Sequence, residues 1–264
     1  MEMEMDRQPP TDSADTHGDP MFSVAGRKVV VTGASSGIGR HLATALAERG
    51  ARVLAMDAHE QRLLGWTPEV TGTQAAVCDV RDEVAVSTAL GDFAREHGPL
   101  DFVITCAALA EQLDSEEITA QRFRDTLDVN VVGTFLVARA AARLMRETGG
   151  GSIALVGSQL GRVTKPKRSA YSTSKAAVEM LAKVMALDFA EWGVRVNCLS
   201  PGPVLTDRIR DALLGEEADA QARMLIGRYL VPADLLGAVL FLASPASGSM
   251  TGANLLVDGG YSVI

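Results

Sequence analysis

From Gly26 onward the chain alternates short β-branched runs with longer stretches rich in alanine and leucine. The short runs predict strands over residues 28–32, 52–56, 74–78, 102–105, 152–156, 194–199 and 255–257. Between them, helices are expected over 40–49 and 83–97, with the two longest over 123–146 and 170–192. The strands are apolar at successive rather than alternate positions. That pattern means burial on both faces, as in a parallel sheet covered by helices. Regular βαβ alternation then gives an α/β fold: a doubly wound, Rossmann-type, seven-stranded parallel sheet in one domain spanning 21–264. Residues 1–20 break the pattern. Six acids stand there against Arg7 alone, with three prolines and few aliphatics. Such a segment buries too little surface to offset its ordering entropy, so a disordered tail is expected.

Composition narrows the function. A net charge of −8 argues against a nucleic-acid binder, because phosphate needs a basic surface. No apolar run approaches the ~18 residues of a membrane span. The acidic start lacks the basic and apolar parts of a signal peptide, so a cytoplasmic protein is expected. Cys78, Cys106 and Cys198 lie far apart, as buried reduced thiols would. The four histidines, His17, His41, His59 and His97, show no metal-ligand spacing, so no metal site is expected.

The first strand runs into Gly33-Ala34-Ser35-Ser36-Gly37-Ile38-Gly39 and then a helix. Gly33 permits a tight turn, Gly37 lets backbone approach a pyrophosphate, and Gly39 removes a Cβ between helix and strand. The helix N-terminus offers free N–H groups to phosphate. Gly33-Ala34-Ser35-Ser36-Gly37 also fits G-x-S-x-G, the hydrolase nucleophile elbow, but no histidine follows His97 to complete a triad. Asp57 lies 24 residues after Gly33, where a carboxylate binds both ribose hydroxyls of an adenosine and repels a 2′-phosphate. NAD is therefore favoured over NADP, with Arg40 the one nearby base opposing it. A helix-capping role is the other option for Asp57. Asp79, before Val80, either accepts from an adenine amino group or caps the helix after it.

Tyr171 and Lys175 sit four apart, on one helical face. A phenol is a poor acid–base group at neutral pH, and a neighbouring ammonium favours its phenolate. Ser158 ends the fifth strand, and ligands of doubly wound sheets sit at the strands' carboxyl ends. A hydroxyl there is placed to hold a substrate carbonyl. Ser172 and Lys175 also spell S-x-x-K, but the accompanying S-D-N and K-T-G motifs of penicillin-binding enzymes are absent.

With these motifs together, the chain resembles the short-chain dehydrogenase/reductase family from about Phe22 to its C-terminus. The turn from Thr32 to Gly39 is similar to the family's cofactor turn, and Ser158, Tyr171 and Lys175 match its catalytic residues. The resemblance implies that Asn130 anchors a proton relay through water to the lysine. It also implies that Pro201-Gly202-Pro203-Val204-Leu205-Thr206 closes over the nicotinamide and that Ala107 lies by the adenosine ribose. Val257-Asp258-Gly259-Gly260 matches the family's last strand end. One segment departs: Thr105-Cys106-Ala107-Ala108 replaces the usual Asn-Asn-Ala-Gly, which bears on sheet integrity and cofactor affinity. Cys106 is expected to be a small buried hydrophobe rather than a reactive thiol.

Substrate contacts are expected from Gln159, beside Ser158, and from Arg168. The 159–168 loop carries four bases and no acid. It is either a solvated or subunit-contact loop or a site for an anionic substrate. Residues 207–227 are expected to form a mobile lid. The expected activity is hydride transfer between NAD and a small hydroxy acid, polyol or sugar derivative. The alternatives are a 3-oxoacyl-type carbonyl reductase using NADPH and a non-catalytic scaffold, which would commonly lack the tyrosine or lysine. Relatives imply a homotetramer built on the two long helices.

Overall fold

In strand β1 (Lys28–Thr32), Val30 packs into one core while Val29 and Val31 pack into another. All three valines are fully buried, which is why the apolar run is unbroken. The computed structural model describes residues 20–207, 221 and 223–263. The remaining strands are β2 (Arg52–Asp57), β3 (Thr73–Val77), β4 (Phe102–Thr105), β5 (Gly151–Val156), β6 (Val194–Pro201) and β7 (Asn254–Val257). They form one seven-stranded sheet, ordered β3-β2-β1-β4-β5-β6-β7, with every pairing parallel.

Seven α-helices are described: α1 (Gly37–Glu48), α2 (Glu60–Leu64), α3 (Glu83–His97), α4 (Ala120–Leu127), α5 (Thr134–Arg146), α6 (Ser169–Asp188) and α7 (Leu236–Ala243). Helices α3, α5 and α6 bury Leu90, Met145 and Val178 in the core on one sheet face. Helices α1 and α7 bury Leu42, Leu46 and Leu242 in the core on the other. The chain reverses direction across the sheet between β1 and β4, which places a topological switch point at their carboxyl ends.

Several boundaries differ from the sequence pattern. Helix α1 begins at Gly37 rather than residue 40, so the glycine turn closes directly into the helix. The single helix expected over 123–146 is divided into three. Thr119 caps α4 through Arg122 N at 3.2 Å, a π-helical turn covers Asp128–Gly133, and α5 follows. Such a wide turn breaks the 3.6-residue repeat over a single turn, too short a stretch for periodicity to reveal. Helix α6 ends at Asp188, and a 3-10 turn, Ala190–Trp192, completes the segment. Strand β3 stops at Val77, leaving Cys78 outside the sheet. The expectations for the acidic tail before Pro20, and for most of the lid over 207–227, lie outside the described residues. Among the described residues, no helix is long and apolar enough to cross a membrane, and no group of three or more His, Cys, Asp or Glu side chains could hold a metal ion.

Candidate active site

A cavity of about 790 Å³ opens at the carboxyl ends of the strands, within the ~300–1,000 Å³ usual for ligand sites. Its cofactor end is shaped by glycine. Gly33 has φ +67°, and a Cβ on it would lie 2.7 Å from the backbone of Cys106 and Ala107. A Cβ on Gly39 would sit 2.3 Å from the Gly33 carbonyl oxygen, closing the gap between turn and helix. Ser36, at the N-cap of α1, makes no side-chain cap, which leaves first-turn N–H groups for a ligand. Gly33, Ser35, Ser36, Gly37, Ile38 and Gly39 all line the cavity. A cradle without Cβ atoms, an uncapped helix end and a cavity of this size fit a dinucleotide.

Asp57 lines the same end. Its carboxylate accepts from Ser35 N at 3.0 Å and from His59 N at 2.8 Å, which fixes it against the glycine turn. It does not cap α2, whose N-cap is His59. Asp79 does not cap α3 either: Asp82 does, accepting from Val84 N and Ala85 N. Asp79 is instead gripped by Arg81, with Nε at 3.0 and 3.1 Å and Nη2 at 2.6 Å. Those hydrogen bonds hold its carboxyl below the ordinary aspartate range. Arg40 turns away, its guanidinium 5.8 Å from the Trp66 ring centroid, and does not line the cavity. The bases that do so at this end are Arg62 and Arg81.

The Thr105–Ala108 departure is absorbed by hydroxyls. Thr32 Oγ1 accepts from Ala107 N at 3.2 Å, and Thr105 Oγ1 accepts from Val156 N at 3.4 Å. The strand ends of β1, β4 and β5 are thereby tied together, and β4 pairs with both neighbours through Thr105. Cys106 lines the cavity, but burial pushes its thiol up to about 12 against the opposing pull of Lys175. It is a protonated thiol at neutral pH, as an inert cysteine should be.

Ser158, Tyr171 and Lys175 meet in this cavity. Ser158 Oγ accepts from Leu160 N at 3.1 Å, which leaves its own proton to donate. Lys175 is 3% exposed; its Nζ donates to Val156 O at 2.7 Å and stands 5.7 Å from the Tyr171 ring centroid. Asn130, in the π-helical turn, is fully buried and lies behind the wall rather than in it. Its Nδ2 donates to Leu109 O and Ser174 Oγ, both at 2.9 Å, and its Oδ1 accepts from Leu109 N at 2.7 Å. Ser174 in turn donates to Tyr171 O at 2.7 Å. Asn130 therefore clamps the loop after β4 to the first turns of α6, on which Tyr171 and Lys175 stand.

The remaining residues singled out by the sequence also line the cavity: Val80, Ala107, Gln159, Arg168, Pro201, Gly202, Val204 and Thr206. Sequence reasoning missed Leu109 and Ala110 from the loop after β4, and Tyr261 near the C-terminus. Tyr261 follows the Asp258-Gly259-Gly260 motif directly, which was the available signal. Arg62 stands five residues after Asp57, and that proximity was equally readable.

A family model described as enoyl-(acyl carrier protein) reductase matches residues 33–262. The chain is 36% identical over 247 residues to D-threitol dehydrogenase of Mycolicibacterium smegmatis, covering 92% of this chain and 95% of that protein. It belongs to the short-chain dehydrogenase/reductase family. An NAD-dependent glycerol dehydrogenase of Listeria innocua is 30% identical over 247 residues, covering 93% of this chain and 97% of that protein. Among solved structures, a gluconate 5-dehydrogenase from Burkholderia cenocepacia, in complex with NADP and tartrate, superimposes with a TM-score of 0.86. That protein is 32% identical, with 93% of this chain and 98% of that one covered. This short-chain dehydrogenase/reductase is thus an oxidoreductase of CH–OH donors that uses a nicotinamide cofactor.

Proposed function

We propose that the protein oxidises a secondary alcohol of a polyol or sugar-derived substrate, reversibly, with NAD. The observation that carries this is the convergence of Ser158, Tyr171 and Lys175 on the cavity that also holds the glycine turn and Asp57. When bound there, NAD supplies the hydride acceptor. Ser158 donates to the substrate oxygen and orients the carbinol. Tyr171 removes the hydroxyl proton, while the Lys175 ammonium, held by the Val156 carbonyl, stabilises the phenolate. Asn130 acts one layer further out, its side chain positioning α6 through Leu109 and Ser174, and the water relay to Lys175 expected from sequence belongs to the same proposal.

Asp57 supports NAD, since its carboxylate meets the position of a 2′-phosphate. The alternative, an NADPH-linked 3-oxoacyl reductase, draws on Arg62 at the same end of the cavity and is opposed by Asp57. The threitol- and glycerol-oxidising relatives support a polyol-like substrate. Three unpaired cysteines support a reducing, cytoplasmic setting. A homotetramer built on α4–α5 and α6 belongs to the same proposal.

Tyr171→Phe tests the mechanism. Removal of a positioned acid–base group should lower kcat by ~10²-fold or more while the Kd for NADH stays within about threefold. A kcat within about threefold of wild type would show that Tyr171 is not the proton acceptor.

A further inference from the structure

Three arginines of this protein show how its guanidinium forks are filled. Arg81 sets Nε and Nη2 on the Asp79 carboxylate, and Arg162 sets the same pair on Glu179 at 3.0 and 2.6 Å. Arg168 differs. Its Nη2 donates to a neutral acceptor, Gln112 Oε1, at 2.8 Å, and its Nε is shut off from solvent with no partner. A buried N–H left unmade is costly, so a fork half filled by a surface amide is poised for a better acceptor. Arg168 lines the cavity three residues before Tyr171, at the N-cap of α6.

Two further features belong to the same place. Gln159, next to Ser158, is 4% exposed and its Oε1 has no partner. Lys167 holds a left-handed backbone, φ +65°, with its ammonium 3.3 Å from Asp114; this sharp turn delivers Arg168 to the wall. Among the described residues that line this end of the cavity, the charge has one sign. Lys165, Arg168 and Lys175 line it, whereas the carboxylates lining the cavity among the described residues, Asp57 and Asp79, stand at the cofactor end.

We propose that the substrate is a polyhydroxy carboxylate. Its carboxylate takes both prongs of the Arg168 fork and displaces the Gln112 amide, a hydroxyl bonds Gln159, and the reacting carbinol lies between Ser158 and Tyr171. A planar bidentate acceptor matches the fork, and a neutral alcohol leaves Nε unsatisfied. The assignment rests on Ser158 and Tyr171 framing the reacting carbon.

The test uses pairs that differ only at one terminus: glycerate and glycerol, threonate and threitol, gluconate and glucitol. kcat/KM is measured with NAD, and each acid is titrated calorimetrically into the enzyme saturated with NADH. In at least one pair the acid should be used ~10-fold better than its alcohol. Arg168→Ala should lower that acid-to-alcohol ratio ~10- to 150-fold and weaken binding of the acid in parallel. Gln112→Glu, on an exposed residue, should do the same by filling the fork with the chain's own carboxylate. The proposal is overturned if the alcohol is preferred in every pair. It is equally overturned if both variants leave the ratio and the acid's Kd unchanged, which would make Arg168 a packing residue. Acid binding that both variants weaken, without turnover of any pair, supports the anion site and counts against the dehydrogenase mechanism alone.

Discussion

The proposed choice of NAD over NADP, two coenzymes that differ by one phosphate, rests on Asp57. Its carboxylate is anchored by the Ser35 and His59 N–H groups, so it cannot swing away from an incoming 2′-phosphate without giving up both bonds. NAD should therefore be used at least ~10-fold better than NADP, a difference of about 1.4 kcal/mol. Asp57→Ala should shrink that ratio in initial-rate measurements with the two coenzymes. A wild-type preference for NADP would mean that Arg62 outweighs Asp57. At this scale the sequence carries residue types and not the partners their side chains meet. Arg40 was the base set against Asp57, yet it packs over Trp66 while Arg62 lines the cavity. Which way a long side chain points depends on a distant aromatic ring, and spacing along the chain carries no record of that.

The elements follow the same division. β1 and β4 have the ends that their apolar β-branched runs predict, β1 stopping where Gly33 opens the turn and β4 where Thr105 gives way to small residues. The 123–146 segment differs from its single-helix pattern, because a π-helical turn changes the pitch within it over only six residues. That turn buries Asn130, so the element that differs is also the one that clamps the site. Helix α6 shows a second pattern. Met180, Val184 and Leu187 are 57%, 46% and 79% exposed and recur at i, i+4 and i+7, an uncovered apolar stripe beside the charged Lys183. If α6 pairs with its copies in the proposed tetramer, light scattering should give four times the 27.8 kDa chain mass. Leu187→Glu should then shift the protein to smaller species. A wild-type mass of one chain would remove the tetramer from the account.

Across the whole molecule, parallel strands explain why so much of the site was legible. They deliver residues as far apart as Gly33, Asp57, Ser158 and Pro201 to one edge of the sheet, so motifs at strand ends converge without further information. The substrate end is different. Loops build it, Leu109 and Ala110 from one side and Tyr261 from another, and loops have neither hydrophobic period nor fixed direction. Buried and unpartnered groups such as Gln159 Oε1 and Arg168 Nε become visible only once all their neighbours are in place. The most direct check on the central claim is the rise in absorbance at 340 nm when the wild-type enzyme meets NAD and a series of three- to six-carbon polyols and their aldonic acids. NADH should form with at least one of them. Absence of NADH and NADPH formation across the series, and of NADH or NADPH consumption with the matching ketoses and keto acids, would contradict it.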